Sequence, residues 1–369
     1  MELTPKLAKY LQAMTKEDAS DLHLKVDSPP HVRIDATLCK TPKPPLTRQE
    51  MTDMVLHLFS DEQLKEFDKT GGCDLAYQIP DGDRFRINVF RQRSEISISI
   101  RRVTRHIPSL EQLHLPDHFI DITKYSQGLI LVTGATGCGK STTIASMLEY
   151  INQTRSCHII TIEDPIEYLY FDKKALVSQR EIGIDVPDFN TALRMMLRED
   201  PDIILVGEIR DRDTLTAALQ ASDTGHLVFG TLHASSAPQA VSRMLEMVPQ
   251  SMRSQLQQSL GYNLSAVICQ KLLPGVQKGI SRVPIIEVLR ATPQVQEKIE
   301  NGKESELADI IKNGKADGMN NFTQNLYDRI QTEMIDPRVA YTVAPNVVEL
   351  KMMVQGIMQS QSASNVTRG

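Results

Sequence analysis

Tryptophan is absent from the 369 residues, and aromatic side chains make up only 5% of them. A Trp-based platform for stacking bases is thereby excluded, while Phe and Tyr keep a stacking surface open. Cysteine is scarce. Cys39, Cys73, Cys138, Cys157 and Cys269 are odd in number, and no two form a C-x-x-C pair. Neither a disulfide framework nor a thiolate zinc site follows, and a reducing, cytosolic setting fits best. No uninterrupted apolar run approaches the roughly 20 residues of a membrane helix. The opening Met-Glu-Leu-Thr-Pro lacks a signal-peptide pattern. With no transmembrane segment, membrane contact is expected only through a partner. Excess positive charge is missing too: the formal net charge is −5. That disfavours a general nucleic-acid binder, and no direct nucleic-acid contact is expected.

What is present is enough apolar material, 41% of residues, for two or three packed domains. Residues 1–103 read as a small α+β domain. A helix over 1–16 leads to alternating strands at 21–26 and 31–34, then a helix over 47–59. A strand over 73–79 and a turn at Asp81-Gly82-Asp83 precede a hairpin formed by 84–90 and 96–101. Residues 104–125, carrying Pro108 and Pro116, read as a connection. From 126 to 290 strands and helices alternate, as in an α/β domain. Strands are expected at 129–133, 158–162, 203–207 and 227–231, and helices at 140–151, 188–198, 211–221 and 236–247. Residues 251–272 and 293–331 read as predominantly helical, within a C-terminal helical region over 291–358. The Ser/Gln/Asn-rich tail, 359–369, is expected to be disordered.

The run Gly134-Ala135-Thr136-Gly137-Cys138-Gly139-Lys140-Ser141-Thr142 contains G-x-x-x-x-G-K-S. It follows an apolar strand and opens a helix, the context a phosphate-binding loop requires. Its glycines let backbone N–H groups approach phosphate oxygens. Lys140 offers a mobile charge to the terminal phosphates, and the Ser141 hydroxyl can join a magnesium shell. ATP and Mg2+ are therefore the expected ligands.

A hydrolase also needs a carboxylate at the end of another strand. The apolar run 203–207 ends on Glu208, which is suited to orient or activate the attacking water. Asp202, which begins that run, is the weaker candidate. A second strand runs into Glu163-Asp164-Pro165-Ile166-Glu167. Glu163 is the preferred magnesium or water ligand of the three carboxylates, and a solvated acidic turn is the alternative. Ser141, Glu163 and Glu208 form the expected metal-facing set. His226 and His233 flank one strand and can contact the terminal phosphate or the carboxylates. Their spacing does not suit a metal pair. The hairpin carries Arg84, Arg86, Arg91, Arg93, Arg101 and Arg102. Arginines supplied from another domain or subunit can stabilise charge in phosphoryl transfer, and a basic interface is the bland alternative. Arg194, Arg198 and Arg210 lie nearer the acidic motifs.

Taken together, these segments resemble the PilT/PilU branch of secretion ATPases, the type IV pilus retraction motors. The matching runs are ASDLHL (19–24), FRINVF (85–90), GATGCGKST (134–142) and ITIEDPIEY (160–168). VSQREIG (177–183), ALRMMLREDPDIILVGEIRD (192–211) and TGHLVFGTLHAS (224–235) complete the set. The resemblance spans about residues 5–350. It implies a PAS-like N-terminal α+β domain followed by a RecA-like P-loop ATPase domain with a helical C-terminal region. It assigns Lys140 and Ser141 to Walker A, Glu163 to the acidic box, Glu208 to Walker B, and His226 and His233 to the histidine box. Arg84, Arg86 and Arg101 fall in the region that supplies arginines to the nucleotide.

The resemblance also implies a cytoplasmic homohexamer, peripherally associated with the inner membrane at the pilus base. There it would act on the platform protein and couple ATP hydrolysis to pilin removal, in twitching motility or DNA uptake. The retraction motif AIRNLIRE is replaced by Gln-Val-Gln-Glu-Lys-Ile-Glu-Asn after Pro293. The chain continues through Asn346-Val-Val-Glu-Leu-Lys-Met-Met353, like the PilU type. An accessory motor working with a PilT-type companion ATPase is the resulting expectation. An autonomous retraction motor is the first alternative, and a RecA-like nucleic-acid translocase is the alternative of another class.

Overall fold

The computed structural model describes residues 3–34, 37–79 and 82–356. The chain forms two compact units, one of residues 1–106 with 166–169, the other of 107–165 with 170–369. The tail expected to be disordered, and Asp81 of the expected turn, lie outside the described residues.

In the first unit, six strands are β1 (Asp21–Lys25), β2 (His31–Ile34), β3 (Thr37–Lys40), β4 (Gly72–Gln78), β5 (Arg84–Gln92) and β6 (Glu95–Val103). They form one antiparallel sheet in the order β3-β2-β1-β6-β5-β4. β5 alternates cleanly, with Phe85, Ile87 and Val89 buried. Such period-two burial is what a sheet covered on one face demands. The β5–β6 link, Arg93-Ser94, has φ of 50° and 65°, the left-handed pair that follows the twist of a two-residue hairpin. Helices Pro5–Lys16, Arg48–Leu58 and Asp61–Thr70 cover the sheet. The latter two start in capping boxes, Thr47 with Glu50 and Ser60 with Gln63. Leu7, Leu11, Met51, Met54 and Phe67 join the β5 residues in one core. β3 and the Asp61–Thr70 helix carried no expectation. All four β3 residues are exposed, so that strand has no apolar face to read; the Asp61–Thr70 helix has only Leu64 and Phe67 on its apolar side, Phe67 alone being buried.

The second unit holds β7 (Gly128–Thr133), β8 (His158–Glu163), β9 (Leu176–Glu181), β10 (Ile203–Val206), β11 (Leu227–Leu232), β12 (Leu264–Pro274) and β13 (Arg282–Arg290). Their order is β13-β12-β7-β11-β10-β8-β9, parallel except for the antiparallel edge strand β13. Both faces are covered. Leu129 and Leu131 pack into one apolar cluster, Ile130 and Val132 into the other. The helix Lys140–Thr154 contributes Ile144, Met147, Leu148 and Ile151 to the second cluster. Helices Phe189–Met196, Arg212–Asp223, Ala237–Glu246 and Arg253–Asn263 contribute to the first. So do the C-terminal helices Pro293–Glu300, Leu307–Asn313, Phe322–Gln331, Pro337–Val343 and Val347–Val354.

Two expectations are corrected. Residues 251–272 are not helical throughout: the helix stops at Asn263 and β12 begins at Leu264. β12 is buried without a break from Ala266 to Gln270, on both faces, so periodicity cannot separate it from a buried helix. The stretch 104–125 is not a free connection either. Leu110, Leu115, Phe119 and Ile122 are buried in the core beside Ile130 and Met147, and His118–Thr123 is a short helix. β9 and β13 were also unmarked in the sequence.

Candidate nucleotide and catalytic site

β7 ends at Thr133 and the loop 134–139 delivers the chain to a helix starting at Lys140. Gly134 and Gly139 take φ of 147° and 89°, in the region that favours glycine. Space forbids a side chain as well. A Cβ on Gly134 would stand 2.4 Å from the Gln270 carbonyl oxygen, and one on Gly139 would stand 2.8 Å from Gln270 Nε2. Ala135, Thr136 and Gly137 form the exposed tip, with Cys138 buried behind them. Burial pushes the Cys138 thiol up, so it is no thiolate nucleophile at neutral pH. Lys140 Nζ donates to the carbonyl oxygens of Gly134 at 2.9 Å and Ala135 at 3.2 Å. The loop's own acceptors thus hold the ammonium across its rim. Ser141 and Thr142 occupy the first helical turn, half-buried, where the helix dipole favours an anion.

Parallel register brings the other groups alongside. Leu232 of β11 lies opposite Thr133 of β7, and Val206 of β10 lies opposite both Gly230 and Ile162. The carboxyl ends of β7, β11, β10 and β8 therefore present the loop, His233, Glu208 and Glu163 in a row. Gly207 makes the close approach possible, because a Cβ there would meet the Ile162 carbonyl oxygen at 2.9 Å and Glu163 Cα at 3.2 Å. Gly207 N–H donates to that same Ile162 oxygen at 2.8 Å, and the Thr231 hydroxyl donates to Gly207 O at 2.6 Å.

His233 links the two halves of the row. Its Nδ1 lies 3.2 Å from Gly134 O and its Nε2 lies 3.3 Å from Glu208 Oε1. Arg210 donates to the other Glu208 oxygen at 2.6 Å. The Arg210 hydrogen bond, opposed by partial burial, holds the Glu208 carboxyl below its ordinary range. Glu208 is therefore ionised at neutral pH, as a carboxylate that orients or deprotonates water must be. Glu163 Oε1 accepts from the Thr161 hydroxyl at 2.7 Å and from Gln179 Nε2 at 3.1 Å. An open cavity of about 320 Å³ adjoins Glu208 and His233 and reaches Arg210, Arg243 and Glu246.

Other expected residues stand elsewhere. His226 is a correction: it precedes β11, at the end of the strand opposite His233, and Nδ1 meets Ala221 O at 2.8 Å. A six-residue strand between the two histidines spans about 20 Å, so His226 does not join the loop cluster of its own chain. Asp202 also lies at the amino end, accepting the His158 N–H at 2.8 Å. Glu167 falls in the 166–169 segment that belongs to the first unit. Arg84, Arg86 and Arg101 lie on β5 and β6 of the first unit, where Arg101 Nε donates to Asp21 at 2.8 Å and Arg86 faces Asp74 at 3.8 Å. Arg194 and Arg198 are exposed. Thr161, Gln179 and Gln270 were not foreseen. Thr161 is a polar residue between Ile160 and Ile162, and Gln270 ends the apolar run Ala266–Cys269, signals present once those strands are recognised; Gln179 stands among the polar residues Ser178, Arg180 and Glu181 and has no such signal.

Among the described residues no group of three or more His, Cys, Asp and Glu side chains forms a metal cage. The oxygens of Ser141, Glu163 and Glu208 nevertheless suit Mg2+, which takes few protein ligands and completes its shell with water and substrate phosphates.

A covered parallel sheet with a glycine-rich phosphate loop, a neighbouring ionised glutamate and a second carboxylate at adjacent strand ends defines a P-loop ATP hydrolase of the secretion-motor class. The model of the Type II/IV secretion system protein family matches residues 2–333, and the chain belongs to that family, within its PilT/PilU group of type IV pilus ATPases. It is 39% identical over 313 residues to the type IV pilus retraction ATPase PilT of Pseudomonas aeruginosa, covering 85% of this chain and 90% of the relative. It is 34% identical over 363 residues to the type IV pilus ATPase PilU of the same organism, covering 98% and 95%. A solved structure of the pilus retraction motor PilT with bound ADP superposes with a TM-score of 0.86 at 38% identity, over 95% of this chain and 99% of the other. Among the described residues no helix is long and apolar enough to cross a membrane.

Proposed function

We propose that this chain is a ring-forming ATPase that assists type IV pilus retraction, as an accessory motor beside a PilT-type companion. The observation that carries the ATPase part of this reading is the Gly134–His233–Glu208 linkage, which ties the phosphate loop to the ionised carboxylate, and the likeness to pilus ATPases supports the retraction part. The linkage occurs in a chain that aligns nearly end to end with a pilus retraction motor. In this reading Lys140 and the loop amides hold the ATP phosphates. Ser141, Glu163 and Glu208 hold Mg2+, which would neutralise phosphate charge when bound. Glu208 orients the attacking water, and His233 couples its position to the loop.

The assembly is a homohexamer in the cytoplasm, docked on the inner-membrane platform protein at the pilus base. Arg84, Arg86 and Arg101 supply positive charge to nucleotide in the ring. Arg101 is suited to this because 71% of its side chain stays exposed while it pairs with Asp21. Two features favour the accessory form. The match to PilU continues over 98% of the chain, and the segment replacing AIRNLIRE is a helix, Pro293–Glu300, that turns Val295 and Ile299 into the core. Higher identity to PilT favours the autonomous form instead.

The deciding experiment images labelled pili in cells whose sole candidate retraction ATPase is this protein. No retraction alone, with strengthened retraction when the companion motor is returned, supports the accessory role. Robust retraction that disappears with Lys140→Ala would establish an autonomous motor instead.

A further inference from the structure

Gln270 lies outside every motif that led to the site. It sits on β12, one residue past the pairing of Cys269 with Thr133, and therefore directly beside the start of the loop. Its side chain is 3% exposed. The amide bridges two points across the loop's base: Nε2 donates to Cys138 O at 2.7 Å, and Oε1 accepts from the Thr143 hydroxyl at 2.7 Å. Thr143 is itself buried in the first turn of the following helix. Gly139 leaves the space this bridge occupies, since any Cβ there would meet Gln270 Nε2. Gln270 thus contributes to the loop twice, by the backbone oxygen that crowds Gly134 and by the side chain that crosses beneath Gly139.

The consequence follows from peptide geometry. In a trans peptide the C=O of one residue and the N–H of the next point in opposite directions. Pinning the Cys138 carbonyl inward, onto a buried amide, directs the Gly139 N–H outward to the concave side of the loop. That N–H is one of the groups a phosphate-binding loop offers its ligand. The glutamine amide is suited to the task because it is donor and acceptor at once, without charge, and so satisfies a carbonyl and a hydroxyl in a dry setting.

We infer that Gln270 is a positioning residue for nucleotide binding, fixing the orientation of the Cys138–Gly139 peptide through its side-chain amide. The inference rests on ATP binding by this loop and is independent of whether the chain retracts pili. The catalytic carboxylate meets the loop at Gly134, through His233, whereas the bridge holds the Cys138–Gly139 peptide at the loop's other end, so its loss is expected to act on nucleotide affinity more than on the saturated rate.

The test uses the purified full chain, titrated with a fluorescent ATP analogue and assayed for steady-state ATP hydrolysis and thermal unfolding. Gln270→Met keeps the length and removes both hydrogen bonds. The expected result is an affinity loss of about tenfold, the equivalent of roughly 1.4 kcal/mol, with saturating turnover within about twofold. Thr143→Val alone removes one of the two bonds and is expected to lower affinity about two- to fivefold. Added to Gln270→Met it should cost nothing more, because its partner is already gone. Unchanged affinity in Gln270→Met overturns the inference, as does a fall in turnover and melting temperature with affinity preserved. Should Gln270→Met fail to fold, Thr143→Val decides alone: a graded affinity loss supports the bridge and unchanged affinity rejects it. Normal analogue binding by a chain that neither retracts pili alone nor strengthens retraction beside the companion motor would count against the pilus reading and leave this assignment standing.

Discussion

The two ends of the parallel sheet carry the same kinds of side chain and use them differently. At the amino ends stand His158, Asp202 and His226; at the carboxyl ends stand Glu163, Glu208 and His233. The amino-end groups hold backbone, with one side-chain partner added for each histidine, Ser178 Oγ at 2.9 Å from His158 Nε2 and Thr224 Oγ1 at 3.1 Å from His226 Nδ1. His158 Nδ1 faces the carbonyls of Glu199 and Asp200 at 3.0 and 3.1 Å, Asp202 accepts the His158 N–H, and His226 faces Ala221 O. The carboxyl-end carboxylates are held by side chains: Glu208 by Arg210 and His233, Glu163 by Thr161 and Gln179. What separates the two ends is the neighbour: at the carboxyl end His233 reaches the phosphate loop at Gly134, whereas at the amino end the histidines face the Glu199–Asp200 turn and the end of the Arg212–Asp223 helix. Strand direction supplies the rest, because an open α/β sheet binds ligands beyond the carboxyl ends of its strands.

The strongest way to break this comparison is to neutralise the central carboxylate. Glu208→Gln keeps the shape and removes the charge, and turnover should fall by about 10²- to 10⁴-fold. Nucleotide binding should persist within a few-fold, because the loop and Lys140 are untouched. Phosphate release measured beside equilibrium nucleotide binding separates the two. Normal turnover would remove Glu208 from the chemistry and leave the carboxyl end no more special than the amino end.

The histidines sharpen the contrast with a smaller effect. His233→Ala severs the contacts to Glu208 and Gly134, and kcat is expected to drop about 10- to 100-fold through misplacement of the carboxylate. His226→Ala should leave kcat within about twofold and cost about 1 kcal/mol of stability, the worth of its bond to Ala221. Parallel kcat measurements and denaturation curves on the two variants check both halves. A larger kcat loss from His226→Ala would mean that it acts in another subunit's site.

How far the sequence could be read follows the same physical lines. The β5–β6 hairpin and the Arg48–Leu58 helix were legible because one face is wet, which leaves a period in the residue order. The P-loop, Glu163, Glu208 and His233 were legible because each directly follows an apolar run. β12 was not: Ala266 to Gln270 is buried on both sides, and a double-sided strand loses the alternation that names it. Gln270 disappeared with its strand. Motif order also could not place His226, since the two histidines look equivalent until the strand between them is given a direction.

Arg210 supplies the finest test, because its effect is on pH dependence more than on rate. Its guanidinium is 60% exposed and bonded to a Glu208 oxygen at 2.6 Å. An ion pair this wet is worth no more than about 1 kcal/mol. The bond lowers the folded-state pKa of Glu208 below its ordinary value. The pair's stability is therefore fully present above the ordinary glutamate pKa and is lost as pH falls through the lowered one. In Arg210→Gln the carboxyl should move back towards its ordinary range, carrying the acidic limb of the kcat–pH profile to higher pH. Rate at neutral pH, where Glu208 is ionised with or without Arg210, should change by only about two- to threefold. The stability difference between the parent and Arg210→Gln should be largest near neutrality and close on acidification. An acidic limb that stays in place would show that another group sets it. The carboxyl end would then be distinguished by geometry alone, and not by a carboxylate tuned to remain charged.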